Sequence, residues 1–192
     1  MSRQSPLSAQ APLMGVPGAS APPGGEADWF RGAGGLRLRA ALWHPSVLQS
    51  KTPRGTVVLS PGRTEPIEKY YELIGNFLAR GFCVLAHDWR GQGLSARLLP
   101  DRLKGHARAV EEFLDDYARL MDAYEQQAPK PWIMVGHSMG AALNLLTLEG
   151  GDDRFAGALL CSPMLRIRTG KRSMWSVKLA VRWALRNGKG GD

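Results

Sequence analysis

Three times along the chain a short apolar run breaks into a glycine-punctuated turn: TVVLSPG at 56–62, CVLAHDWRGQG at 83–93 and WIMVGHSMG at 132–140. None of these runs alternates polar with apolar residues, so each predicts a strand buried on both faces. The stretches between them carry helical spacing. Tyr70, Leu73, Ile74, Phe77 and Leu78 mark one helix over 67–80, stopped by Gly81, and a longer amphipathic helix is predicted over 106–127. A fourth apolar strand is predicted at 158–161, and residues 28–43 alternate around the glycines of 32–35 as a hairpin does. Strands apolar on both faces and alternating with helices predict an α/β fold, a mostly parallel sheet with helices on both faces.

With 192 residues, 44% of them apolar and 22% charged, the chain has the composition of one globular domain. Residues 1–26 are rich in Pro, Ala, Ser and Gly and offer little to bury, which predicts a disordered tail. Residues 27–165 then form the core, and 166–192 a basic segment appended to it. That last segment has eight basic residues against Asp192 alone, while the rest of the chain carries 17 basic and 16 acidic groups. The net charge of +8 therefore belongs almost wholly to the C-terminal segment, and a nucleic-acid partner loses its electrostatic support. Cys83 and Cys161 both fall in predicted strands and read as small buried hydrophobes rather than a disulfide. No secretory h-region and no apolar run of membrane-spanning length is present, which together with reduced cysteines predicts a cytoplasmic location, with the basic end as a peripheral membrane contact.

Gly136-His137-Ser138-Met139-Gly140 joins a predicted strand to a predicted helix. That context distinguishes a nucleophile elbow from a chance G-x-S-x-G: the serine occupies a strained turn, and Gly136 and Gly140 let backbones pass closely. The helix N-terminus beyond it favours negative charge, so the Met139 N–H is a donor for an oxyanion. A second donor is expected from the loop after an earlier strand, where Gly62 allows a tight turn and presents the Arg63 N–H. Asp88 and Arg90, in D-x-R-G-x-G-x-S, are expected to hold loops beside the site rather than to react.

In this order and at these intervals, SPGRTE, HDWRGQGLSARLL and GHSMG resemble the α/β-hydrolase superfamily, in particular its lysophospholipase and monoacylglycerol lipase branch, often grouped with serine aminopeptidases. The match runs from about Trp29 to Met164, and Pro61-Gly62 stands where many monoacylglycerol lipases have His-Gly. The resemblance implies Ser138 as nucleophile, Met139 and Arg63 as backbone oxyanion donors, a lipid ester as substrate, and no metal or cofactor. An epoxide hydrolase or dehalogenase would carry Asp at the elbow; an amidase or peptidase of the same fold remains an alternative.

In that fold the triad acid and base follow the nucleophile along the chain. No histidine follows Ser138; His44, His87, His106 and His137 all precede it. His44 and His87 end strands, His106 is expected to open a helix, and the His137 side chain leaves the elbow in another direction. The expectation is a hydrolase core cut within the cap, before the last strands, and inactive alone. The basic segment then reads as the start of a lid, with a helix over 173–187 and Lys178, Arg182 and Arg186 in one stripe. The alternative is a non-catalytic fragment whose basic amphipathic end adheres to anionic membranes.

Overall fold

The computed structural model describes residues 10–46, 52–166, 170 and 173–189. Its sheet has six strands, β1 (Gly25–Arg31), β2 (Arg37–Trp43), β3 (Thr56–Ser60), β4 (Cys83–His87), β5 (Trp132–His137) and β6 (Phe155–Cys161), in the spatial order β1-β2-β4-β3-β5-β6. The hairpin of β1 and β2 is antiparallel, and β2 joins β4 in the same sense. The strands β4, β3, β5 and β6 run parallel. Every residue of β3 and β4 is buried, as continuous apolar runs in the middle of a two-sided sheet require.

Side chains alternate between two cores. Val58, Leu85 and Met134 pack under α2 (Glu111–Tyr124) and α3 (Met139–Glu149), while Val57, Val84 and Val135 face α1 (Tyr71–Leu78). Helix α1 is entered through a 3-10 turn at Ile67–Tyr70 and is closed by Gly81 at φ 82°, a left-handed conformation that glycine adopts without Cβ strain. In α2, Tyr117, Leu120, Met121 and Tyr124 recur on one buried face. The last element, α4 (Met174–Arg186), is capped by Ser173, whose hydroxyl accepts from the Ser176 N–H at 3.2 Å. None of its residues is buried, and no helix among the described residues is long and apolar enough to cross a membrane.

Four expectations differ from this arrangement. The segment 10–24, expected to be disordered, lies against the α1 side of the sheet with Ala11 buried and Leu13 and Val16 packed on that core. It is tied down because buried donors need its carbonyls: Arg39 Nη1 donates to Pro12 O at 2.9 Å, Tyr71 OH to Met14 O at 2.9 Å and Trp43 Nε1 to Pro22 O at 3.1 Å. Residues 1–9 lie outside the described residues. Cys161, expected to be buried, is exposed because β6 is an edge strand, with only β5 beside it among the described residues. The second long helix begins at Glu111 rather than 106, which leaves His106 in the preceding loop. Finally β6 starts at Phe155, three residues earlier than expected, with a register irregularity near Trp132.

Candidate active site

Ser138 connects β5 to α3 with φ 51° and ψ −111°, a conformation that L residues seldom adopt. Its backbone is fixed from three directions. The Ser138 N–H donates to Cys161 O at 2.9 Å, and Ser138 O accepts from Ala142 N–H at 3.1 Å and from Met164 N–H at 3.0 Å. The two flanking glycines are required by contact. A Cβ on Gly140 would stand 2.1 Å from Ser60 O and 2.5 Å from Pro61 O, and one on Gly136 would meet Ala141 Cα at 2.7 Å. Removing both Cβ atoms lets the first turn of α3 press against the ends of β3 and β5, leaving Ser138 half-buried at the top of the sheet.

The loop after β3 arrives beside this turn. Its shape is set by Thr64 at φ 65° and by Glu65, which accepts from the Gly62 N–H at 2.7 Å. Thr64 N–H donates in turn to Gln92 Oε1. Among the described residues no hydrogen bond occupies the backbone N–H of Arg63 or Met139. Both residues line a pocket of about 320 Å³ that also includes Gln92, Phe113 and Met164. A larger concavity of about 690 Å³ is formed by the side chains of α4 alone and stands apart from the elbow.

The Glu65 carboxylate touches the elbow through His137. Burial raises its pKa, but hydrogen bonds from Lys69, Tyr70, His137 and the Gly62 N–H outweigh that and hold it at about 2. His137 Nδ1 lies 3.0 Å from Glu65 Oε2, so its ring is committed to the loop after β3.

Asp88 and Arg90 sit at the centres of two buried ion networks. Asp88 pairs with Arg39 at 2.7 Å and accepts from the Ile67 N–H at 3.0 Å and the Leu94 N–H at 2.8 Å. Arg39 also holds Glu68 through two bonds of 2.7 and 2.8 Å, which lower the Glu68 pKa against the opposing effect of burial. Arg90 pairs with Asp116 at 2.6 Å and Glu112 at 2.7 Å. These contacts tie β2, the 3-10 turn, the loop after β4 and α2 into one support. Sequence reasoning missed Arg39, Glu68, Glu65, Asp116 and Gln92. The available signal was a charge inside the strand-like LRLRAALW and an acid on the apolar face of α2.

The four histidines are dispersed. His44 is exposed, 3.2 Å from Cys83 Sγ. His87 is buried edge-on to Trp89 at 4.3 Å between ring centroids, and burial pushes its pKa down to about 3, leaving it neutral. The His106 backbone packs on Gly91. None of the four bonds to Ser138 among the described contacts.

Comparison with known proteins places this geometry. Residues 51–188 match the family model described as Hydrolase_4, serine aminopeptidase, S33. Lysophospholipase L2 of Escherichia coli K12 is 38% identical over 114 residues, covering 58% of this chain and 33% of that protein. Monoglyceride lipase of Homo sapiens is 30% identical over 137 residues, covering 69% and 41% respectively. The chain thus spans about a third to two fifths of the curated relatives it matches. Among solved structures, a carboxyl esterase from Bacillus coagulans superposes with a TM-score of 0.65 at 23% identity, over 90% of this chain and 53% of that one, a likeness of fold. The strand order, the strained serine turn and the family match lead to one assignment: the chain belongs to the serine aminopeptidase S33 family of α/β hydrolases.

Proposed function

We propose that this chain carries the nucleophile half of a carboxylic-ester hydrolase acting on a lipid with one acyl chain, a lysophospholipid or monoacylglycerol. The observation that carries the reading is Ser138 at φ 51°, pinned between two glycines whose Cβ positions are filled by neighbouring atoms. In this mechanism Ser138 Oγ attacks the ester carbonyl, and the Met139 and Arg63 N–H groups receive the oxyanion. The alcohol departs, and water then releases the acid from the acyl-serine. Proton transfer to and from Oγ needs a base, and no histidine in the 192 residues is placed to serve. The acid and base are therefore assigned to residues outside this stretch, and the chain alone is a very poor esterase. The names of the relatives support a lipid ester over a peptide. Treatment with a serine-directed fluorophosphonate, followed by peptide mass mapping, tests it. A slow adduct confined to Ser138 supports the reading, and an adduct at another residue with Ser138 left unmodified refutes it.

A second reading of the C-terminal helix has its own observation. Trp175 is 74% and Trp183 60% exposed, beside Leu179, Val181 and Leu185, while Lys178, Arg182 and Arg186 recur on the same helix. We infer that α4 rests on an anionic membrane surface, its tryptophans at the interface and its cations near the head groups.

A further inference from the structure

The loop after β3 is held peptide by peptide. Pro61 O accepts from Trp89 Nε1 at 2.8 Å, and the Gly62 N–H at the other end of the same peptide donates to Glu65 Oε2 at 2.7 Å. A trans peptide is planar and its C=O and N–H point opposite ways, so a partner on each side stops it turning. In the next peptide Gly62 O accepts from the Glu65 N–H at 3.4 Å, which faces that oxygen towards residue 65 and the Arg63 N–H away from it. Beyond it, Arg63 O accepts from Thr64 Oγ1 at 2.6 Å and the Thr64 N–H donates to Gln92 Oε1. From Pro61 O to the Thr64 N–H, the Arg63 N–H is the one backbone group without a hydrogen bond among the described residues. Thr64 at φ 65° is a strained β-branched residue, and such a conformation persists only where its surroundings enforce it.

The two side chains that grip the Pro61–Gly62 peptide are themselves fixed. Trp89 is 1% exposed and lies edge-on to His87 at 4.3 Å and to Phe113 at 5.9 Å between ring centroids. Glu65 is engaged by Lys69 and Tyr70 of the 3-10 turn and by His137 of the elbow. The gripped peptide also abuts α3, since Pro61 O stands 2.5 Å from where a Gly140 Cβ would lie. Its place is thereby set relative to the first turn of α3, where the Met139 N–H is also unbonded among the described residues.

We propose that Glu65 and Trp89 are positioning residues for the oxyanion: they lock the two peptides that precede the Arg63 nitrogen, so that its N–H is the donor this loop presents to an ester carbonyl at Ser138. This rests on the ester-hydrolase reading and deepens it. Glu65 acts twice, through its carboxylate on the Gly62 N–H and through its own N–H on Gly62 O, and Trp89 closes the opposite side.

The test is hydrolysis of p-nitrophenyl butyrate by the full chain at a fixed imidazole concentration, with kcat and KM separated. Trp89→Phe keeps an aromatic ring and loses the Nε1–H, and Glu65→Leu loses the carboxylate. Each should lower kcat about tenfold and leave KM unchanged, a displaced oxyanion donor costing less than the hundredfold or more of a deleted one. Glu65→Gln keeps an oxygen for the Gly62 N–H and should recover most of the kcat lost in Glu65→Leu, although it gives up the charge. Should Trp89→Phe not fold, the two Glu65 variants still decide. A native kcat in Glu65→Leu, or a loss confined to KM, would overturn the positioning role. Equal losses of kcat in Glu65→Leu and Glu65→Gln would overturn it too, by tracing the effect to the charge instead of the peptide lock. In all three cases the ester-hydrolase reading stands. An imidazole-dependent rate in the native chain no higher than in Ser138→Ala would remove both, because no oxyanion would then form at the elbow.

Discussion

Gly140→Ala isolates the contact on which the elbow depends. The new methyl would stand 2.1 Å from Ser60 O and 2.5 Å from Pro61 O, against the 3.0 Å below which Cβ atoms are essentially never found. Both obstacles are backbone, so no side chain can swing aside and α3 must retreat by about 1 Å. That retreat pulls on the bond from Ser60 Oγ to Asn144 Oδ1, now 2.8 Å, and on the Ser138 turn itself. Overpacking of this kind costs about 3 kcal/mol at the upper end of its usual range, and the helix propensity of alanine returns about 1 kcal/mol, for a net loss of about 2 kcal/mol. Gly75→Ala provides the matched control, because a Cβ there, inside α1, meets nothing within 4 Å. It should gain about 0.5–1 kcal/mol. Urea unfolding followed by far-ultraviolet circular dichroism measures both. Opposite signs separated by about 3 kcal/mol are expected; two similar changes would show that the close approach of α3 to β3 is not what the glycine is for.

Arg39→Met should cost about 3–5 kcal/mol, since it strands Asp88 and Glu68 in the interior without their counter-ion; the same urea assay measures it, and a loss under 1 kcal/mol would contradict the role assigned to the network. Stability should also depend on pH in two separable windows. The His87 pKa is depressed to about 3 from 6.5, so between those values the unfolded chain holds the extra proton and stability falls as pH falls, a slope His87→Leu should remove. The Glu65 pKa is depressed to about 2 from 4.5, so its contribution is complete above pH 4.5 and is lost as pH falls towards 2, a loss Glu65→Gln should flatten. In vesicle co-sedimentation, the full chain should bind anionic vesicles more than neutral ones and release them in high salt, and a chain ending at Leu165 should not bind; indifference to lipid charge would reduce α4 to a solvated basic helix.

What was legible in the sequence is what short segments determine by themselves. TVVLS and CVLAH are short apolar runs bounded by turn residues and form central strands, and the glycines around Ser138 announce a close approach in which neighbouring atoms fill the space a Cβ would need. The rest depends on partners distant in sequence. Nothing in the Pro- and Ala-rich stretch reveals that its carbonyls satisfy Arg39, Trp43 and Tyr71, because the demand comes from residues 21 to 57 positions away. Cys161 has the neighbours of a buried strand residue, yet burial needs a strand or helix on its far side, and an apolar run records only what it could bury. Gln92 was invisible for a related reason: a glutamine in a glycine-rich turn reads as solvated until its Oε1 is seen to accept from the Thr64 N–H and Arg97 to hold the carbonyls of Gly91 and Gly93 on either side. Of the candidate site's geometry, the strained serine was readable from GHSMG, and the grip of Glu65 on His137 was not.

The central claim is that Ser138 is a positioned nucleophile without a base in these 192 residues. Chemical rescue tests it most directly: hydrolysis of p-nitrophenyl butyrate by the chain and by Ser138→Ala, each with and without added imidazole. The account predicts near-background turnover by both proteins alone, and an imidazole-dependent rate in the native chain that exceeds the one in Ser138→Ala. Robust turnover without imidazole that vanishes in Ser138→Ala would reveal a base within the chain, and identical imidazole-dependent rates in the two proteins would show that Ser138 is not the nucleophile.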